Sequence, residues 1–298
     1  MTKNVRVVSL CLLGIGFMPL AGYGWQSDMR SCPYLDGKAQ PFYHVELGFV
    51  PDARIENRGP NYSHMELRTG GALVYFHDIA YGDIDLNVRF DSLVPLRKSA
   101  VDIPSHLMAL VLETRWFWRY INDTALELTF APGFYASTED VLDMPLAIPV
   151  TAAGIYAPSP ALALVAGLQV RPGFSHILVP YGGVVWAPHA QFRVEATVPE
   201  ARMTVHLDRE WSGYAGWKWD STTYSIQPDD AGRNRLTIVA QEWYLGVSRG
   251  LFDELRIHGS LGLLTDREIR VTRSRSKLRE RASIDDGMVL RVGVAGAF

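Results

Sequence analysis

The chain has 298 residues, 29 of them basic and 32 acidic, for a net charge of −3. That mildly acidic balance argues against nucleic acid, whose binders carry a basic field. Apolar residues make up 48% and the mean hydropathy is +0.01, which suits a chain that hides only half of each strand from water.

Lys3 and Arg6 precede an uncharged apolar run from Val7 to Leu20, followed by the small residues Ala21, Gly22 and Gly24. A basic start, an apolar run too short to span comfortably and small residues before a polar segment describe a secretory signal peptide over residues 1–24. A retained membrane anchor is the alternative that the short run disfavours. Removal of the leader leaves 274 residues and takes the basic count from 29 to 27 against 32 acidic, a net charge of −5. Cys11 departs with it, so Cys32 stands alone in a periplasmic linker over 25–40, and no disulfide forms within the monomer. Beyond the leader there is no stretch of eighteen apolar residues and hence no transmembrane helix.

From residue 41 to 298 a period of two recurs. Tyr43, Val45, Leu47 and Phe49 oppose His44, Glu46 and Gly48; Ile84, Leu86, Val88 and Phe90 oppose Asp83, Asp85, Asn87 and Arg89. On the strand from His106 to Tyr120, Met108, Leu110 and Leu112 run into Trp116, Trp118 and Tyr120 on one face. Leu126, Leu128 and Phe130 alternate with Glu127 and Thr129; Phe192, Val194, Ala196 and Val198 alternate with Arg193, Glu195 and Thr197. Met203, Val205 and Leu207 and then Leu255, Ile257, Leu261 and Leu263 repeat the pattern. Trp243 to Val247 falls out of phase with Leu236 and Ile238, which implies a bulge, and Pro199 either kinks one strand or joins two. No helical period appears, so the class is all-β. Arg58-Gly59-Pro60-Asn61, Gly70-Gly71, Pro158-Ser159-Pro160, Arg171-Pro172-Gly173, Ala187-Pro188 and Asp229-Asp230 mark strand ends. The count is about twelve strands, with ten or fourteen as alternatives.

A soluble sandwich alternates as well. Three features favour a transmembrane antiparallel up-and-down barrel. The polar faces are heavily charged, aromatics cap the apolar bands as a membrane interface requires, and only a closed barrel satisfies every backbone group in lipid. The final strand, Met288 to Phe298, ends on a large aromatic without a tail, as a closing strand does, and Phe298 is the candidate assembly signal for the barrel insertion machinery. These features place the chain in the outer membrane of a diderm bacterium.

Charged residues on the polar faces are the candidates for lining the lumen: Asp83, Asp85, Arg89, Glu113, Arg115, Arg193, Glu195, Arg256, His258 and Arg291. Asp83 and Asp85 share a face and read as members of an ion-pair network, with paired-acid chemistry or cation binding as the alternative. The histidines at 44, 64, 77, 106, 176, 189, 206 and 258 form no metal-binding pattern, so no metal or other cofactor is expected. Ser175 and His176 are neighbours on one strand in this reading and face opposite ways, so they form no catalytic pair. Arg270, Arg273, Arg275, Lys277, Arg279 and Arg281 crowd the last outward loop, a solvated loop or a contact for outer-leaflet glycolipid phosphates.

The segment from Pro180 onward resembles the outer-membrane β-barrel family known as domain of unknown function 6268. The likeness lies in Gly183, Val184, Trp186 and Pro188, in Pro199, Ala201 and Arg202, in the aromatic strand Tyr214 to Trp219, and in a close through Asp285, Asp286, Leu290, Arg291, Gly293 and Phe298. It covers about the last 120 residues. Gly296, third from the end, departs from the larger residue that such barrels often carry there. The resemblance implies fold and location and supplies no activity. Three roles are open: a channel or transporter for small solutes, the first choice; a structural or surface-binding barrel with an occluded lumen; and a lipid-acting enzyme, which needs a Ser/His or paired-acid cluster at one rim.

Overall fold

The structure, a computed structural model, describes residues 6–7, 42–55, 61–79, 82–96, 103–119, 123–138, 146–226, 234–252, 255–272 and 279–297. Apart from β1 (Arg6–Val7), which pairs with Val74 and Tyr75, residues 1–41 lie outside that set. So do the leader cleavage region, Cys32, the Asp229-Asp230 turn, Arg273 to Lys277 and Phe298.

Successive strands pair antiparallel with their chain neighbours, as short connections dictate. The first four are β2 (Phe42–Ala53), β3 (Tyr62–Ile79), β4 (Gly82–Pro95) and β5 (Leu107–Arg119). The fifth is interrupted at Pro132 into β6 (Thr124–Phe130) and β7 (Gly133–Ser137). The sixth is interrupted at Pro149 into β8 (Leu146–Ala147) and β9 (Val150–Ser159). Proline lacks the donor that an inner strand needs, and both breaks fall on one. Then come β10 (Leu162–Val170), β11 (Leu178–His189), β12 (Phe192–Val198) and β13 (Glu200–His206). The wall ends with β14 (Trp211–Ile226), β15 (Asn234–Phe252), β16 (Leu255–Thr272) and a last strand made of β17 (Arg279–Ile284) and β18 (Gly287–Ala297). β18 pairs with β2 from Leu290↔Phe49 to Ala297↔Phe42, which closes a barrel of 14 strands.

The outer face is the lipid face. Leu47 (52% exposed), Leu245 (68%) and Val292 (58%) stand bare on it, as side chains do where a ladder of paired strands meets hydrocarbon. Trp116 and Trp118 point outward near one end, stacked at 5.4 Å, with Trp186 and Trp211 at the same end. That end carries the short turns and both ends of the barrel, and the longer loops lie opposite, which makes it periplasmic.

The outward-facing mouth is filled. Beyond the ends of β9–β13, β14 leans across and meets β7 in a parallel bridge, Ser225↔Ala136, while Ile55 bridges Ile284. The strands β2–β5, β7 and β14–β17 thus close a narrower ring. Its inside holds an apolar cluster that includes Tyr62, Leu107, Phe174, Tyr224, Leu236 and Ile269, with Leu107 and Leu236 at 0% exposure.

The wall has fourteen strands, the upper alternative to the count of about twelve. The segment from Val150 to Val170 shows no polar alternation because its inward side chains, Ala153, Ile155, Ala163 and Val165, form an apolar cluster with Phe117 and Val185. Its strands are apolar on both faces, so the period of two vanishes. A bulge lies instead in β16 at Asp266 (φ 48°), whereas β15 keeps its phase from Leu236 to Val247 and shifts register at Gly250–Phe252. Leu236 and Ile238 face inward like Glu242 and Tyr244; the lumen changes from charged to apolar along one strand. Pro199 joins two strands.

Candidate functional site

The charged half of the lumen is built on β2, β3, β14, β15 and β18. Arg291 is 3% exposed; its Nη2 and Nε reach Glu242 at 2.9 and 3.0 Å, and its Nη1 reaches Glu66 at 2.6 Å and Glu46 at 3.4 Å. Gly48 lies between Arg291 and Glu66 in register, and a Cβ there would fall 2.8 Å from the guanidinium. Lys218 pairs with Glu242 at 3.0 Å and His258 with Glu46 at 3.3 Å. Arg68 holds Glu66 at 3.2 Å and stretches across the lumen from β3 to Asp220 on β14, at 3.7 Å.

The other predicted candidates also face inward. Arg115 binds Asp85 through Nε at 2.9 Å and through Nη2, Asn87 bonds the same carboxylate at 2.7 Å, and Arg119 pairs with Asp83. Arg89 meets Asp91 at 3.1 Å and Arg193 meets Glu195 at 2.7 Å. Arg256 bonds the Ser212 hydroxyl at 3.0 Å, near the periplasmic end, and Glu113 lines the central cavity. The acids Asp83 and Asp85 are each taken up by an arginine, so the ion-pair reading fits them. Of the arginine-rich loop, Arg270 and Arg281 both grip Glu268.

Serine meets histidine, among the described residues, at Ser92 with His106 (2.6 Å), Ser221 with His176 (2.8 Å) and Ser212 with His206 (2.8 Å). Among the described residues no carboxylate is bonded to the far imidazole nitrogen of any of them, the contact that orients the base in a hydrolytic triad. Ser175 and His176 lie in a loop rather than on a strand, and each bonds a different partner. No group of three or more His, Cys, Asp or Glu among the described residues is placed to hold a metal ion.

Beneath the apolar cluster lies a cavity of about 520 Å³. Arg68, Arg89, Arg171, Lys218, Arg267 and Arg291 line it, with Glu66, Asp91, Glu113, Asp220 and Glu242. The excess is one positive charge. Arg171 stands at its side opening, where it donates to the Ser221 carbonyl and lies 4.3 Å above the Phe174 ring. Sequence reading missed Arg171, because it sits in a loop whose Pro and Gly marked only a turn.

That side opening is a window in the wall. The β12–β13 hairpin turns at Pro199 and stops low; β11 residues 178–181 and β14 residues 220–224 have no strand partner on that side, and β14 next meets β7 at Ser225. On β14, Lys218, Asp220 and Thr222 point inward and Trp219 and Ser221 outward, yet all five line the one cavity. The loop 171–177 roofs the window: Ser175 bonds Thr223 (3.2 Å) and Thr237 (2.6 Å), and His176 lies edge-on to Trp219. Burial lowers the His176 pKa from its ordinary value, and Arg270 and Arg171 push the same way. Gly182 and Gly183 (φ +149° and +152°) pair with Val198 and Thr197 at the hairpin tip, and a Cβ on Gly183 would fall 2.0 Å from the Ala196 oxygen. Val170, Ile177, Leu178 and Val198, all exposed, frame the window, so it faces lipid.

No protein-family model matches the chain, and no curated protein matches it. Among solved structures it is similar to an outer-membrane channel from Pseudomonas putida F1, at 9% identity over 87% of this chain and 96% of that one, with a TM-score of 0.47. It is also similar to the KdgM porin (7% identity, 86% and 99% covered, TM-score 0.37) and to the Pseudomonas putida toluene transporter TodX (10%, 87% and 90%, 0.38). At these identities and scores the likeness carries no argument about solute or mechanism.

Proposed function

We propose that this chain is an outer-membrane transporter for small solutes whose route leaves the barrel through the wall rather than through the outward mouth. The observation that carries this reading is the gap above the Pro199 hairpin, where β11 residues 178–181 and β14 residues 220–224 lack a strand partner on the facing side and Pro199, Trp219 and Ser221 line the cavity. Opening the mouth instead means exposing the apolar cluster. Leu107, Leu236 and Ile269 alone account for about 5–9 kcal/mol at ~1.5–3 kcal/mol per buried side chain, which keeps such an opening below about one molecule in a thousand. The window requires no such exposure. Membership in the family of domain of unknown function 6268 is part of the proposal and rests on the motifs from Gly183 to Phe298.

The filled mouth itself favours a second reading, a structural barrel with an occluded lumen. Uptake by proteoliposomes separates the two. Under the first, vesicles holding the protein take up small amphiphilic solutes faster than empty ones, while planar bilayers record no open-pore steps. Equal uptake rates leave the occluded barrel.

A further inference from the structure

We infer that the window cavity is a binding site for a small amphiphilic monoanion, held by its acid group at Arg171 and by its apolar body against Phe174, Tyr135 and Tyr224. The inference deepens the transport reading by naming its ligand class, yet equilibrium binding tests it without any flux.

Three observations converge on it. The first is charge. The described side chains lining the cavity carry one more cation than carboxylates; Glu46, outside the lining, lies 3.4 Å from Arg291, so what matters at Arg171 is its lack of a carboxylate partner rather than the total. Four of the five acids are already within ion-pair range of a cation: Glu66 and Glu242 hold Arg291, Asp91 holds Arg89, and Asp220 faces Arg68. Glu113 stands on β5, where Arg89 and Arg115 supply its nearest positive field. Arg171 has its carbonyl partner and its ring, and no carboxylate of the described residues within ion-pair range. A guanidinium so placed offers a planar pair of donors to an incoming carboxylate, sulfonate or phosphate.

The second is the apolar wall beside it. Phe174 meets the Tyr135 ring edge-on at 4.9 Å, and both rings line the cavity with Tyr224. Polar and apolar ends therefore lie within one ligand length of each other. The third is access. The frame of Val170, Ile177, Leu178 and Val198 opens to acyl chains, which deliver amphiphiles and exclude free inorganic ions. A volume of about 520 Å³ falls within the ~300–1,000 Å³ of small-molecule sites, too little for a two-chain lipid.

The experiment uses the full chain in nanodiscs, with empty nanodiscs as baseline, and two probes of equal shape: 4-butylbenzoate and the neutral 4-butylbenzamide. Calorimetric titration is expected to give saturable binding of one benzoate per barrel, tighter than the amide. Arg171→Gln weakens benzoate about 10–100-fold, the worth of one charge-assisted contact, and leaves the amide unchanged. Arg171→Lys keeps most of the benzoate affinity, and Thr222→Trp, which fills the cavity, removes both ligands. Binding no greater than to empty nanodiscs, equal affinity for the two probes, an R171Q barrel that retains benzoate, or one that loses both probes alike each overturns the inference. If binding holds while proteoliposome uptake fails, the site stands and the transport reading falls.

Discussion

Arg291 on the last strand and Glu66 on the second lie on either side of β2, yet their side chains meet at 2.6 Å. Gly48 is what permits it, since it pairs with Arg291 on one side and Glu66 on the other and leaves no side chain between them. The closing seam of the barrel is thereby tied by a buried ion pair as well as by its ladder. Glu242, reached from the same guanidinium, extends the tie to β15.

Replacing Arg291 by Met leaves Glu66 to Arg68 and Glu242 to Lys218. Removing one partner of a buried ion pair typically costs about 3–5 kcal/mol, and the loss should fall toward the lower end of that range. The urea midpoint of the folded, heat-modifiable band in vesicles should drop accordingly, and a midpoint equal to wild type would show that the seam does not need the pair.

Two glycines should respond very differently to alanine. At Gly183 the backbone sits in a glycine-only region and the added methyl meets the Ala196 carbonyl at 2.0 Å, so the loss should exceed the upper end of the ~1–3 kcal/mol for backbone strain. Gly173, with φ +88° and nothing within 4 Å of a Cβ, should lose only about 1–2 kcal/mol. Folded yields of the two variants side by side decide it; similar losses would refute the geometry at the hairpin tip.

The roof of the window should loosen in acid. The His176 pKa is depressed in the folded protein, so the unfolded loop binds a proton more readily. Its contribution is therefore present above the ordinary histidine value of about 6.5 and is lost as pH falls below it. Hydrogen exchange at Ser175, whose amide bonds Thr223, should accelerate at pH 5.5 relative to pH 7.5 after correction for intrinsic rates, and His176→Gln should abolish the difference. Identical protection at both values would rule this out.

Leu245 tests the lipid face. It is 68% exposed, in the middle of β15, so an arginine there should cost about 2–4 kcal/mol in a bilayer of ordinary thickness. Leu245→Ser in a soluble sheet would be nearly silent or favourable. Folding titrations into vesicles distinguish the two, and a tolerated arginine would contradict the membrane setting.

The period of two was legible wherever one face met lipid and the other met charge, as from Asp83 to Phe90. The inward set from Asp83 to Arg291 could be assigned because charge cannot face acyl chains. Legibility failed where the interior is itself apolar, in Ala153 to Val165 and at Leu236 and Ile238, since two apolar faces look alike in sequence. The cavity and Arg171 were invisible for another reason: the window arises from strand lengths and from the lean of β14 toward β7, which no local pattern encodes.

The hairpin at Pro199 has strands of only 7 residues each. A membrane-crossing strand needs about 9–11, so the bilayer beside β12 and β13 must thin to meet them. Neighbouring acyl chains are then splayed and shortened on one flank of the protein alone. The molecule thus deforms its own leaflet beside its side entrance, and thicker host membranes should be the less hospitable ones.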